Sequence, residues 1–289
     1  MSAKIIDGKA HAARLRKRVA AASARLKDAH GLVPGLATVL VGNDPASEIY
    51  VRNKGRMARE LGYHAVNIPM PAEASEAEVL AQVRALNADP AVHGILVQMP
   101  LPKQVREAAI LDTLDPAKDV DGLHPYNLGR LAQREPLLRA CTPYGVIKML
   151  QHVGISPRGM EAVVVGASSI VGRPMALELL LAGATTTVCH TRTRDLAAEV
   201  ARAELLVVAV GKPQMVLGAW IRPEAVVIDI GIHRTADNKL VGDVEFAAAA
   251  ARAAWITPVP GGVGPMTIAT LLSNTLEASV RRQGLKSAG

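Results

Sequence analysis

Val163-Val164-Val165-Gly166-Ala167-Ser168-Ser169-Ile170-Val171-Gly172-Arg173-Pro174 decides the fold. Its first residues are β-branched and apolar, which suits a strand buried on both faces. A turn of small residues follows, and Met175-Ala176-Leu177-Glu178-Leu179-Leu180-Leu181 then reads as a helix. Where a strand passes through such a turn into a helix, free backbone N–H groups and the helix dipole converge into an anion site. Gly166 permits the tight turn, and Gly172 permits close packing of helix on strand. Ser168 stands where the usual fingerprint has its middle glycine. A second strand-like run, Thr185-Thr186-Thr187-Val188-Cys189-His190, follows at the spacing of a βαβ unit. Dinucleotide binding is the expectation; a purely structural turn in another α/β protein is the bland alternative.

The composition agrees with layered α/β architecture. The chain has 289 residues, 49% hydrophobic but only 2% aromatic, so Ala, Val, Leu and Ile must fill its core. Its net charge of +7 comes from scattered Lys and Arg. Without aromatic stacking platforms this argues against nucleic acid and for small anionic ligands. Cys141 and Cys189 form neither a metal spacing nor a disulfide framework, and are expected as packed thiols. No metal is expected. The N-terminal segment lacks a signal-peptide core, and no apolar run is long enough for a bilayer, so a cytoplasmic protein without membrane association is expected.

Upstream, strands and helices alternate. Lys9–His30 reads as a surface helix, Leu36–Val41 as a strand, Ser47–Leu61 as a helix and Tyr63–Ile68 as a strand. Ser75-Glu76-Ala77-Glu78 looks like a capped helix start, and Gly94–Gln98 is a third strand. Pro116–Arg134 reads as a polar loop holding Asp119, Asp121, His124 and Asn127. Thr142–Val153 is a helix linking to the opening segment. Glu204–Val210 and Ala225–Ile230 are further buried strands, and Ala247–Ala254 is an Ala-rich helix. A Pro/Gly segment, Ile256–Thr267, feeds a closing helix from Ile268 to about Arg281.

The second nucleotide-fold strand ends Cys189-His190-Thr191-Arg192-Thr193-Arg194, with no carboxylate to bind ribose hydroxyls. Arginines and threonine hydroxyls suit a 2′-phosphate instead, which favours NADP over NAD. Arg173 beside the turn is a further phosphate candidate. Tyr50 and Lys54, four apart on a predicted helix, share a face. Gln98 ends a strand, where open α/β sheets place ligand-binding residues.

Tyr50-Val51-Arg52-Asn53-Lys54, Gly94-Ile95-Leu96-Val97-Gln98-Met99-Pro100-Leu101-Pro102, Lys118-Asp119-Val120-Asp121-Gly122 and Pro258-Val259-Pro260-Gly261-Gly262-Val263-Gly264-Pro265-Met266-Thr267 stand in order with the opening stretch. Together they closely resemble the bifunctional methylenetetrahydrofolate dehydrogenase/methenyltetrahydrofolate cyclohydrolase family, over nearly the whole chain. The resemblance implies two three-layer α/β domains with an active-site cleft between them. Residues 1–140, joined by the C-terminal helix at about 268–289, would form the folate-binding catalytic domain; residues 141–267 would form a Rossmann-type NADP-binding domain.

It also implies one-carbon folate interconversion serving purine biosynthesis, and a homodimer through the nucleotide domain. By matching position, Lys54 is the central catalytic residue, Gln98 its hydrogen-bonded partner, Asp121 the anchor of the pterin and Tyr50 the residue that orients the folate. Pro260, Gly261 and Gly262 line the folate site. Gly166, Ala167, Ser168, Thr191 and Ile232 contact NADP, with Arg173 and Arg192 as phosphate candidates. Some relatives carry serine where Thr191 stands, so its added methyl is a departure. The main alternatives are a shikimate dehydrogenase-like enzyme, a dehydrogenase without the hydrolytic step, and a non-catalytic NADP-binding module.

Overall fold

The computed structural model describes residues 2–285; the expected end of the C-terminal helix, residues 286–289, lies outside the described residues. In chain order, β1 (Lys4–Ile5) and α1 (Gly8–His30) precede β2 (Gly35–Val41), α2 (Pro45–Glu60), β3 (His64–Met70), α3 (Glu76–Ala88) and β4 (Gly94–Val97). Then come α4 (Glu107–Thr113), α5 (Pro125–Ala132) and α6 (Cys141–His152). The nucleotide-type alternation follows as β5 (Glu161–Val165), α7 (Gly172–Leu181), β6 (Thr185–Cys189), α8 (Leu196–Arg202), β7 (Leu205–Val208) and β8 (Val226–Asp229). A small hairpin, β9 (His233–Arg234) and β10 (Leu240–Val241), leads to α9 (Phe246–Ala250), β11 (Trp255–Ile256) and α10 (Val263–Arg282).

Contacts divide the chain into two compact units. One joins Arg14–Cys141 to the chain from Thr270 onward; the other joins the chain up to Ala13 to Thr142–Ala269. This differs from the expected division at the N-terminal edge. The reason is β1, which pairs in parallel with β11 and so extends the nucleotide-type sheet.

In the first unit, β2 lies between β3 and β4, all parallel. Ala37, Val39 and Val41 on one face of β2 pack with Ile95 and Val97 of β4 and with Val79, Val83 and Leu86 of α3. Those α3 residues recur at helical spacing and form its buried stripe. The expected start of α3 is a full capping box: the Ser75 hydroxyl accepts from Glu78 N, and the Glu78 carboxylate accepts from Ser75 N.

In the second unit a parallel sheet runs in the order β6-β5-β7-β8-β11-β1. The chain runs from β5 out to β6, then back across β5 to β7. With right-handed crossovers, α7 and α8 lie on opposite faces, and a topological switch point falls between β5 and β7. Burial on both faces explains the unbroken apolar runs. Val163 and Val165 belong to the cluster under one face, and Ala162 and Val164 on the other are equally buried.

Several elements depart from the sequence reading. Within the expected 116–134 loop, Pro125–Ala132 is helix α5. His124 makes this possible: its Nδ1 accepts from Tyr126 N, and Pro125 supplies the fixed φ that suits a first helical turn. The closing helix begins at Val263, inside the Pro/Gly segment, because its prolines and glycines fall in the turn before it or in its first turn. The Ala-rich helix is shorter than expected and ends at Ala250. Both cysteines are free and buried, as expected.

Candidate functional site

In the first unit, α2 carries Tyr50 and Lys54, and Gln98 directly follows β4. Asp44 caps α2 by accepting from Ser47 N, with Pro45 at the first helical position. This fixes the helix that aims Lys54 inward. Lys54 is buried, and its Nζ donates to Gln98 Oε1 at 2.9 Å. The Gln98 backbone is pinned in turn, its N–H donating to Val39 O at 2.9 Å.

Burial pushes the Lys54 ammonium below the usual lysine range; the nearby Asp121 carboxylate opposes that shift. Lys54, Gln98 and Asp121 are therefore one electrostatic group. Tyr50 is 39% exposed on the same helix, with its ring open to a ligand.

Asp121 is held by a frame that sequence reasoning did not assign. Cys141 N donates to Asp121 O at 3.1 Å, and Asn274 Nδ2 of α10 donates to Val120 O at 2.9 Å and Arg139 O at 2.8 Å. Gly122 has φ +74°, and a Cβ there would fall 2.3 Å from the Arg139 carbonyl carbon, so glycine is required beside the acid. Asp119, singled out for its loop, faces inward instead. It accepts from Gly122 N, His124 N and Asn127 Nδ2 and shapes the turn that presents Asp121. The Cys141 thiol, expected only as packing, reaches this group as well, and burial pushes it well above the usual thiol range. No spacing rule marks such a residue in advance.

In the second unit the predicted cofactor residues gather at the carboxyl ends of parallel strands. Gly166, Ala167, Ser168 and Arg173 follow β5; Thr191 and Arg192 follow β6; Ile232 follows β8. Gly166 has φ +119°, and a Cβ there would sit 2.1 Å from Ala209 O, just beyond β7. The strands flanking the switch point thus approach too closely for a side chain, leaving backbone facing the crevice. Gly172 is equally constrained: its Cβ would meet Gly166 O at 2.0 Å.

Ser168 turns its hydroxyl inward and accepts from Val171 N and Gly172 N at 3.2 and 3.3 Å. It braces the turn that a middle glycine would leave open. Arg173 Nε donates back to Ala167 O at 3.1 Å, which places its guanidinium over the same turn. After β6, His190 N donates to Thr193 Oγ1 and Arg192 N donates to His190 Nδ1, so Thr191 and Arg192 sit exposed at the tip of a closed turn. This close-backbone cradle, with a helix start and an adjacent arginine, fits an NADP pyrophosphate and 2′-phosphate.

Pro260, Gly261 and Gly262 follow β11 and belong to this unit, not to the unit that holds Lys54. The Val259–Pro260 bond is cis, and Gly261 O accepts from Lys9 N at 3.1 Å. A Cβ on Gly8 would lie 1.7 Å from Gly262 O, so the segment lies flat against the start of α1.

Among the described residues no group of three or more His, Cys, Asp or Glu is placed to hold a metal ion, and no helix is long and apolar enough to cross a membrane.

Comparison with known proteins matches both units. Residues 6–121 match the tetrahydrofolate dehydrogenase/cyclohydrolase catalytic domain, and residues 140–283 match the NAD(P)-binding domain of the same proteins. The chain belongs to the tetrahydrofolate dehydrogenase/cyclohydrolase family. Bifunctional protein FolD 2 of Geobacter metallireducens is 58% identical over 275 residues, 95% of this chain and 96% of the relative. Bifunctional protein FolD of Acidithiobacillus ferrooxidans is 57% identical over 284 residues, 98% of this chain and 99% of the relative. Among solved members of the family, the Trypanosoma brucei enzyme complexed with NADP cofactor and an inhibitor superposes with a TM-score of 0.94 at 38% identity, covering 98% of this chain and 99% of that one.

Proposed function

We infer that this chain is a bifunctional enzyme of one-carbon folate interconversion. It oxidises 5,10-methylenetetrahydrofolate to 5,10-methenyltetrahydrofolate with NADP⁺, then hydrolyses that cation to 10-formyltetrahydrofolate. The observation that carries this reading is the buried Lys54–Gln98 hydrogen bond beside Asp121, in a chain that also keeps the close-backbone turn at Gly166.

NADP⁺, when bound, accepts the hydride. That step needs little proton transfer from the protein, because the folate nitrogens stabilise the cation left behind; positioning is the main requirement. The hydrolytic step needs a base. A free lysine has a pKa of about 10.4 and is almost wholly protonated at neutral pH. Burial of Lys54 favours the neutral amine, and a bound cationic folate adds to that bias.

Neutral Lys54 then takes a proton from water as the water oxygen bonds to the methenyl carbon. The ring C–N bond breaks to leave the formyl group on the other nitrogen. One proton of the water ends on the freed ring nitrogen, and the other passes to solvent. Gln98 orients the amine through its carbonyl without adding charge. Asp121 accepts from the N–H-rich edge of the pterin, and Tyr50 orients the ring system. On the nucleotide unit, Gly166 to Ser168 and Ile232 contact the cofactor, while Thr191, Arg192 and Arg173 read its phosphates. Pro260 to Gly262 line the folate site.

The reading extends to a cytoplasmic homodimer, assembled through the nucleotide unit, that supplies 10-formyl groups to purine biosynthesis. Neither nucleic acid nor a membrane is a partner. A spectrophotometric assay tests the activity: methylenetetrahydrofolate with NADP⁺ should yield NADPH and then loss of methenyl absorbance, with NAD⁺ a poor substitute. Methenyl that accumulates without decay would leave a dehydrogenase alone, and oxidation of a carbocyclic hydroxy acid in place of the folate would favour the shikimate dehydrogenase-like reading.

A further inference from the structure

At the carboxyl ends of β7 and β8, two loops are tied to one buried carboxylate. Asp243 lies just after β10 and is 0% exposed. Its Oδ2 accepts from Val210 N at 2.7 Å and Gly211 N at 3.0 Å, in the loop leaving β7. Its Oδ1 accepts from Lys212 N at 3.1 Å and lies 2.6 Å from His233 Nε2. The three backbone partners are N–H donors, and the His233 ring donates as well in its Nε2–H tautomer. Only a group with two accepting atoms satisfies all four, so an ionised carboxylate fits where an amide does not.

A second buried acid completes the knot. Asp229, at the end of β8, accepts from Gly231 N at 3.0 Å, Asp243 N at 2.9 Å and Val244 N at 2.9 Å. Gly231 passes so close to Asp243 that a Cβ on it would stand 2.3 Å from the carboxyl carbon. Ile232 is thus gripped on both sides: Gly231 is bonded to Asp229, and His233 to Asp243. Its own side chain is 49% exposed, a large apolar group presented outward at a strand end. The loop that Asp243 gathers begins beside Ala209, whose carbonyl faces Gly166 across the switch point. Ligands of doubly wound sheets bind at that place.

We propose that Asp243, with His233, is a positioning pair for the NADP site: it sets the Val210–Lys212 loop and Ile232 at the height where the cofactor lies. Neither residue touches the reacting atoms. The proposal rests on the NADP-dependent reading of this chain. Asp243→Asn puts an NH₂ group against two backbone N–H donors, or against one N–H and the His233 ring. The loop must then move away from the crevice. His233→Phe removes one donor and frees the hairpin side of Ile232, whereas His233→Gln keeps an N–H that reaches Asp243.

The test uses the full-length protein with three readouts: NADP⁺ affinity by calorimetry, methenyltetrahydrofolate hydrolysis without cofactor, and thermal midpoint. Asp243→Asn should weaken NADP⁺ binding at least tenfold, and His233→Phe at least threefold. His233→Gln should stay within twofold of wild type. Hydrolysis by all three should remain within twofold. Unchanged NADP⁺ affinity in folded variants would overturn the proposal. So would a fall in hydrolysis and thermal midpoint parallel to the loss of affinity, which marks a merely structural role. If Asp243→Asn does not fold, the His233 pair decides. Failure of the wild-type chain to bind NADP⁺ would instead refute the functional reading itself.

Discussion

Lys54 Nζ on a helix and Gln98 Oε1 at a strand end meet at 2.9 Å, 44 residues apart in sequence. The acceptor is neutral, so the bond orients the amine without fixing it as an ammonium. Asp121 is the opposing influence, a negative charge close enough to raise the amine's proton affinity but set against the larger effect of burial. A lysine so placed holds its proton less tightly than a free lysine.

Lys54→Met keeps the length and apolar stem of the side chain but removes the amine. Methenyltetrahydrofolate hydrolysis should fall by about 10²-fold or more, the usual contribution of a general base. NADP⁺ affinity should be nearly unchanged, since the cofactor residues stand on the other unit. Hydrolysis is followed by methenyl absorbance and binding by calorimetry. A variant that hydrolyses at the wild-type rate removes Lys54 from its role.

Gln98→Glu tests the protonation state. Burial lowers the Lys54 pKa, so its neutral form appears at a lower pH than for a free lysine, and hydrolysis should rise with pH as that proton is lost. A carboxylate in place of the amide favours the ammonium and shifts the titration upward. The rising limb of the pH–rate profile should therefore move to higher pH, with slower hydrolysis at neutral pH. A limb that stays in place would mean that another group titrates there.

How much of this was legible in the sequence depended on range. Ser75 and Glu78 announce a capping box because both partners lie in one turn, and the structure forms both bonds. Val163 to Val165 announce a doubly buried strand because burial on both faces removes alternation. The nucleotide turn at Gly166 was legible for the same local reason. By contrast, α5 starts with a histidine cap, an uncommon choice that leaves its polar segment looking like a loop.

The site's supports were hidden by sequence distance. Asn274 holds Val120 from 154 residues away, and Asp243 holds Val210 from 33. Neither contact leaves a local signature, because a buried acceptor or amide is specified by whatever folds against it. The β1 strand was missed because two residues carry no periodicity; only pairing with β11 makes them a strand.

Arg192→Glu tests the phosphate reading of the β6 turn. Arg192 is exposed at the turn tip, and its backbone N–H is already used by His190, so its guanidinium is the donor left to an anionic ligand. A charged hydrogen bond of this kind is worth about 1.5–3 kcal/mol. The substitution should therefore raise the KM for NADP⁺ by about tenfold or more, since about 1.4 kcal/mol corresponds to a factor of ten. NAD⁺, which has no 2′-phosphate, should change far less. Equal losses for the two would place the 2′-phosphate contact elsewhere.

Gly166→Ala asks whether the switch-point crevice requires bare backbone. At φ +119° a side chain is strained on its own account, and the new Cβ would press to 2.1 Å of Ala209 O, a backbone atom that no rotamer change can move. The strain alone costs on the order of 1–3 kcal/mol. Relief requires β5 and β7 to separate at their carboxyl ends, where Ala209 N donates to Val165 O at 2.8 Å. Denaturant unfolding should show a lower midpoint with an unchanged slope. NADP⁺ binding should weaken more than the stability loss alone explains, because separating β5 from β7 there distorts the turn a pyrophosphate would approach. Wild-type NADP⁺ affinity in a folded Gly166→Ala protein would show that the cofactor does not lie against this turn.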